Sequence, residues 1–278
     1  MSAFYLRFPG GKSKALTLSY DDGVASDIRL IQIMKQHGLK GTFNINAGKF
    51  APEGTTYPAG TVHRRMSQKQ CFEAYKDSGM EVALHGYTHP FLDQLPLPHM
   101  LCEIQKDREA LENLFGTFVR GAAYPYGTYN DDVVAALRAC GVCYARTVAS
   151  TEGFSVPTDW LRMPATCHHR NPKLMELAKK FMAFNVANDA KLFYLWGHSY
   201  EFDGDNNWHV IEEFAKFMGE QEGVWHATNI EVYDYVEAYR RLVVSYDGRL
   251  VYNPSVVSVW FAFAGKTYEI HAGETLVL

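Results

Sequence analysis

Apolar positions follow two rhythms along the chain. Ala15–Tyr20, Gly41–Asn46, Glu81–His85, Gly121–Tyr124, Val142–Arg146 and Lys191–Trp196 are short apolar runs that read as strands. Helical spacing fills the intervals. One helix spans Ser26–His37, with Ile28, Ile31 and Met34 on one face. Another opens at the capping box Ser67-x-x-Gln70 and stops at Gly79. Further helices are predicted near 97–116, from Asn130 to Cys140, after Pro172 (Leu174, Leu177, Phe181, Phe184), near 207–219, and from the capping box Thr228-x-x-Glu231 to about Val243. A Gly/Pro/Thr-rich loop covers 48–66. Strand alternating with helix predicts an α/β fold with parallel strands joined by crossovers. About seven such units close most naturally into a barrel. The tail changes character. Strands near Val256–Phe263, Thr267–His271 and Thr275–Leu278 are separated by Ala-Gly turns with no helix between them. The expected organisation is a barrel over 1–245 and a small antiparallel β extension over 246–278.

The polar groups follow this frame. Asp21-Asp22-Gly23 comes after the first strand, His85-Gly-Tyr-Thr-His89-Pro90 after the third, Tyr124-Pro125-Tyr126-Gly127 after the fourth, and Gly197-His198-Ser199-Tyr200-Glu201 after the Lys191 strand. In a parallel α/β barrel the C-terminal strand ends share one face, and active sites lie there. Taken singly, Asp-Asp-Gly reads equally well as a turn before a helix, and His198 as a structural histidine. Two histidines four apart with a carboxylate make a good divalent-metal site. Gly86 and Pro90 argue against a long helix there, placing His85 at the strand end and His89 on the following turn.

These motifs resemble those of the polysaccharide deacetylases with a NodB homology domain, carbohydrate esterase family 4. Ser19-Tyr20-Asp21-Asp22-Gly23 resembles the family's Thr-Phe-Asp-Asp-Gly motif, and His85–Pro90 its H-[ST]-x-x-H-P motif. Tyr124–Gly127 resembles R-x-P-[YF]-G, and Leu195-Trp196-Gly197-His198 stands in place of the late Leu-x-His. The resemblance runs in order over about residues 14–240. It implies a distorted (β/α) barrel and one divalent metal held by Asp22, His85 and His89. Zinc is expected, with cobalt, nickel, manganese or iron as alternatives. It also implies Asp21 as base, His198 as acid, and hydrolysis of acetylated carbohydrate by metal-activated water. The backbone N–H of Tyr126 would hold the oxyanion. Tyr124, Trp196 and Tyr200, with Glu201 and Trp208, are candidates for lining a sugar site.

Two positions depart from the family. Ala123 stands where the family has the Arg that orients the catalytic aspartate, and Gly86 where it has Ser or Thr. Without a partner, the pKa of Asp21 would rise. Arg162, in Asp159-Trp-Leu-Arg162, is the expected substitute. His168 and His169 are expected to be an incidental exposed loop pair, and Asp203–Asn207 a polar turn lacking the spacing of a calcium loop. The departures keep other functions open: an amidohydrolase acting on a small cyclic amide or ureide, a silent glycan-binding relative, or a non-haem iron oxygenase with the same triad. Asp21 and His198 suit hydrolysis better than oxygen chemistry.

Composition narrows the partners. With 27 Lys+Arg against 31 Asp+Glu the net charge is −4, so no basic field exists for tracking nucleic-acid phosphates. Aromatic residues make up 14% of the chain, which suits sugar rings and an ordinary core alike. No run approaches a membrane span, and the mixed segment Met1–Lys14 lacks a basic head followed by an apolar run. A cytoplasmic location is the expectation, with secretion if the natural start lies upstream. The five cysteines are scattered, and the C-x-x-C at Cys140 and Cys143 has no second pair, so reduced thiols are expected rather than a zinc ribbon.

Overall fold

The computed structural model describes residues 3–278. Its strands are β1 (Tyr5–Arg7), β2 (Lys14–Asp21), β3 (Thr42–Ile45), β4 (Glu81–Leu84), β5 (Gly121–Ala123), β6 (Tyr144–Ser150), β7 (Met163–Ala165), β8 (Cys167–His168), β9 (Lys191–Gly197), β10 (Val224–His226), β11 (Val243–Val244), β12 (Leu250–Tyr252), β13 (Val259–Phe263), β14 (Lys266–Ile270) and β15 (Thr275–Val277). The helices are α1 (Asp27–Gln36), α2 (Gln68–Tyr75), α3 (Leu97–Phe115), α4 (Asp131–Ala139), α5 (Leu174–Ala183), α6 (Tyr200–Gly204), α7 (His209–Gly219) and α8 (Asn229–Arg240).

Nine strands form one parallel sheet in the order β7-β6-β5-β4-β3-β2-β9-β8, with β10 pairing β2. The sheet curls into a nearly closed, distorted (β/α) barrel. Three of the nine, β7, β8 and β10, match none of the strands predicted from the sequence and have two or three residues each. Runs that short carry no legible alternation. β2, between β3 and β9, is buried along all but its first residue. Side chains of β9 divide by the strand period of two: Phe193 and Leu195 join the layer packed under the helices, while Leu192, Tyr194 and Trp196 join Tyr144, Met163 and Tyr235 in a second cluster.

The helix signals worked locally. Both capping boxes, Ser67/Gln70 and Thr228/Glu231, are formed, and Asn130 caps α4 by accepting from Val133 N–H. α2 ends at Tyr75 rather than Gly79, because Lys76 is already non-helical. α1 buries Leu30, Ile31, Ile33 and Met34, whereas Ile28 faces solvent.

In the tail, β11-β12-β15 and β1-β13-β14 form two three-stranded antiparallel sheets. The second takes its edge strand from the start of the chain, with Leu6 opposite Phe261. Val259, Phe261 and Ile270 pack against Ala238 and Tyr239 of α8. The hydroxyl of Tyr235 accepts from Trp260 N–H (2.9 Å) and donates to Arg7 C=O (2.8 Å). Among the described residues, no helix is long and apolar enough to cross a membrane, and all five cysteines are free.

Candidate metal centre

The C-terminal ends of β2, β4, β5 and β9 bring the expected groups together. Asp22 follows β2, His85 follows β4, and His89 sits on the next turn. One ligand atom from each lies within 4.8 Å of the other two. His89 Nε2 is 3.7 Å and His85 Nε2 4.0 Å from Asp22 Oδ1. The backbone is bent to achieve this. Asp22, His89 and Tyr126 account for three of the seven non-glycine residues with positive φ among those described (91°, 58° and 57°). Such conformations persist where surrounding structure holds them, and they cluster at functional sites. Gly86 also has positive φ (72°). Its Cβ position would touch the rings of Pro90 and Pro125 at 3.2 Å, so the small residue that departs from the family motif suits this turn.

The donor set fits a divalent cation. His85 Nδ1 lies 2.9 Å from Ala123 C=O, so its N–H is directed there and Nε2 is left bare toward Asp22. Burial holds the pKa of His85 below the imidazole range and, with His85 as neighbour, brings His89 down to about 4. Both rings are therefore neutral near pH 7, the form in which an imidazole can ligate a metal. Burial alone would raise Asp22, but His63, His85 and Arg65 hold it well below the carboxylate range. Behind the site, Asp107 accepts from His85 N–H (3.0 Å) and Ala47 N–H (2.7 Å), and burial raises its pKa to about 7.

Asp21 has a cationic partner, though not the expected one. Arg162 turns away to Asp131 and to Asp159 at 2.8 Å. The guanidinium on Asp21 Oδ2 belongs to Arg146, which is 1% exposed and lies over the Trp196 ring at 4.4 Å. Ala123 and Arg146 are register partners across β5 and β6. The positive charge has moved one strand sideways at the same height in the barrel. Asn44 Nδ2 donates to the other oxygen at 2.8 Å. Burial favours a raised pKa for Asp21, yet Arg146, His85 and His198 outweigh it and the carboxyl lies below its ordinary value.

On the opposite side, His198 Nε2 is 3.8 Å from Asp21 Oδ2. Burial lowers its pKa, but Glu201 and Asp21 more than compensate, and the result lies above the imidazole range. Of the other candidates, Tyr126 is exposed at the rim. Its ring lies edge-on to His89 (4.4 Å) and flat on Phe91 (3.9 Å). Tyr200 sits beside His63 (4.8 Å) and His198 (5.3 Å). Three candidates for lining a sugar site fail for the same reason. Tyr124 is buried and donates its hydroxyl to Leu161 C=O (2.6 Å), while Trp196 and Trp208 are buried in the core. The exposed aromatic surface is the Tyr126–Phe91 stack instead.

The loop before α2 supplies two residues that periodicity did not reveal. Arg65 donates to Asp22 Oδ1 (2.9 Å), the Asp22 carbonyl and Asn46 Oδ1 (2.7 Å), and Asn46 Nδ2 in turn holds the carbonyls of His85 and Gly86. His63 Nε2 lies 3.2 Å from Asp22 Oδ2. The only sequence signal was a His-Arg-Arg run within a Gly/Pro-rich loop. The pair His168–His169 is also not incidental: His169 is buried, and both rings approach Glu201.

The polysaccharide deacetylase family model matches residues 9–145. Over this segment, just under half of the chain, the sequence is similar to the polysaccharide deacetylase family. The match takes in Asp21, Asp22, His85, His89 and Tyr126 and stops one residue before Arg146. No curated protein matches the chain. Among solved structures, a family 4 carbohydrate esterase from Streptomyces lividans in complex with acetate is 20% identical, with 78% of this chain and 93% of that one covered and a TM-score of 0.53. A Mycobacterium smegmatis protein assigned to the polysaccharide deacetylases is 17% identical over 86% of this chain and 96% of its own, with a TM-score of 0.59. A mutant of the peptidoglycan deacetylase PdaC from Bacillus subtilis gives 18%, 82%, 93% and 0.51. At these identities the likeness to the solved structures is one of fold.

Proposed function

We propose that this protein is a metal-dependent hydrolase that removes acetyl groups from N- or O-acetylated carbohydrate. The observation that carries the reading is the convergence of Asp22, His85 and His89 within 4.8 Å, beside a carboxylate, Asp21, that ligates nothing in the trio. The acetate-bound Streptomyces lividans esterase, which shares the fold, agrees with an acetyl substrate.

A divalent cation, zinc by the two-imidazole, one-carboxylate donor set, would polarise the acetyl carbonyl and acidify water when held by Asp22, His85 and His89. Asp21 takes the proton of the attacking water; Arg146 and Asn44 keep its carboxylate ionised and fixed in direction. The main-chain N–H of Tyr126 donates to the oxyanion. His198 gives a proton from Nε2 to the departing amine or alkoxide as the bond to the acetyl carbon breaks. The Tyr126–Phe91 stack offers an apolar face for a sugar ring.

Acetate release from chitooligosaccharides and acetylated xylan is the direct test. Activity should vanish on chelation and return with zinc or cobalt. Ring opening of small cyclic amides or ureides without acetate release would refute the carbohydrate assignment. His89→Ala should lose the metal along with the activity.

The titration of His198 yields a further expectation. Its raised pKa places the alkaline limb of kcat/KM above the ordinary imidazole value of about 6.5. Glu201→Gln removes the negative charge facing Nδ1, so at one equivalent of metal the limb should move to lower pH. An unmoved limb would assign it to another group.

A further inference from the structure

Asp22 and the two histidines reach the metal centre on separate loops, one after β2 and one after β4. Side chains from the segment between β3 and α2 join those loops. Arg65 sits between Arg64, whose C=O accepts from Ala25 N–H (2.8 Å), and Met66, whose N–H donates to Gly23 C=O (3.1 Å). This backbone pairing sets the Arg65 guanidinium beside Asp22. Nη2 donates to Asp22 Oδ1 (2.9 Å), and Nη1 donates to the Asp22 carbonyl and to Asn46 Oδ1 (2.7 Å). Asn46 is 1% exposed, and its Nδ2 donates to the carbonyls of His85 and Gly86, the latter at 2.7 Å. The path from Arg65 to Asn46 therefore runs from the carboxylate of one ligand to the main chain of another. Both of its ends are bent backbone, at Asp22 (φ 91°) and Gly86 (φ 72°). Such a conformation at an aspartate persists only where contacts hold it.

We propose that Arg65, acting through Asn46, is the positioning residue of the metal centre, fixing Asp22 against the His85–His89 turn before an ion arrives. A guanidinium suits this task. Its planar fork reaches a carboxylate oxygen, a carbonyl and an amide oxygen at once, whereas an ammonium presents one nitrogen. A purely electrostatic role for a cation here has the opposite sign. Positive charge beside Asp22 repels a divalent ion, so on Coulomb grounds its removal tightens metal binding. Positioning requires that removal weaken it, because residues that orient metal ligands contribute about 10–100-fold in metal affinity.

The inference rests on the metal centre proposed above. Competition between the protein and a chromophoric chelator for zinc chloride measures it without reference to activity. Wild type should bind about one zinc ion per chain. Arg65→Met should bind it about 10–100-fold more weakly. Arg65→Lys should recover only a small part of that loss. Asn46→Ala should weaken binding by a similar factor, and the double variant should be no worse than the poorer single one, since both substitutions cut one path. Arg64→Ala alters the same segment at a side chain that faces Asp203 (3.6 Å), so its zinc affinity should match wild type. With cobalt chloride in place of zinc, the visible d–d absorption should change in Arg65→Met and Asn46→Ala and stay unaltered in Arg64→Ala.

Circular dichroism checks that each variant folds. The Arg65 side chain is 17% exposed, and its two variants decide the matter where the buried Asn46→Ala fails to fold. Unchanged or tighter zinc binding in Arg65→Met overturns the proposal. Full recovery by Arg65→Lys overturns it too, because the fork would not be needed. Additive losses in the double variant overturn the path through Asn46. A wild type that binds no zinc overturns the metal centre itself, and the positioning role with it.

Discussion

Asp21→Asn is expected to lower the rate of acetate release by about a thousandfold and to leave metal binding intact. The size follows from the role: a positioned general base contributes about 10²–10⁴ in rate, and the amide cannot take up a proton. The metal stays because Asp21 is outside the ligand trio, with its oxygens held by Arg146 and Asn44. The amide oxygen can still accept from one of these donors, so the fold survives with reduced stability. Two measurements on one sample decide it, acetate release by enzymatic assay and zinc by atomic absorption. A rate equal to wild type would transfer the base role elsewhere. Loss of zinc would make Asp21 a ligand.

Arg146→Met is expected to destabilise the protein by about 3–5 kcal/mol and to weaken catalysis. Removing one partner of a buried ion pair strands the other, and that is the costly half of the exchange. Methionine roughly preserves the packing against Trp196, which isolates the lost charge from a lost side chain. The pH dependence gives the sign. In wild type the folded-state pKa of Asp21 is depressed, so its contribution to stability is present above the unfolded carboxylate pKa of about 3.9 and is lost as pH falls through the folded value. In Arg146→Met burial is far less opposed and the folded pKa rises. The gap between variant and wild type should then widen as pH climbs from about 4 towards neutrality, and the acid limb of kcat/KM should move up. Urea titrations of the metal-free proteins at several pH values would measure the gap. A constant difference across pH would mean that Arg146 contributes packing and little charge compensation.

Much of this architecture is legible in local pattern. The strand–helix alternation, the two capping boxes and the position of polar residues after strands are short-range properties, set by side-chain period and backbone hydrogen bonding. They carry the barrel, and with it the shared face where Asp22, His85 and His89 meet. The barrel strands that escaped notice, β7, β8 and β10, are too short to show a period and exist because neighbouring strands offer them hydrogen bonds.

The same division runs through the site. Motif order along the chain was enough to anticipate that Asp22, His85 and His89 converge and that Asp21 faces His198, because each residue sits at a fixed offset from a strand end. Which arginine completes Asp21 was decided in three dimensions. Arg162 is near the fourth motif in sequence, but Arg146 is beside Ala123 in space, one strand across at equal height. His63, Arg65 and the Glu201 cluster likewise come from segments without periodicity, and Tyr124 and Trp196 proved to be core. Local sequence determines which residues end a strand or cap a helix, since those preferences act over a few positions. Pairing between strands and the folding of loops over the barrel mouth determine which charges share a low-dielectric pocket, because Coulomb energy and burial depend on distance through space and not along the chain.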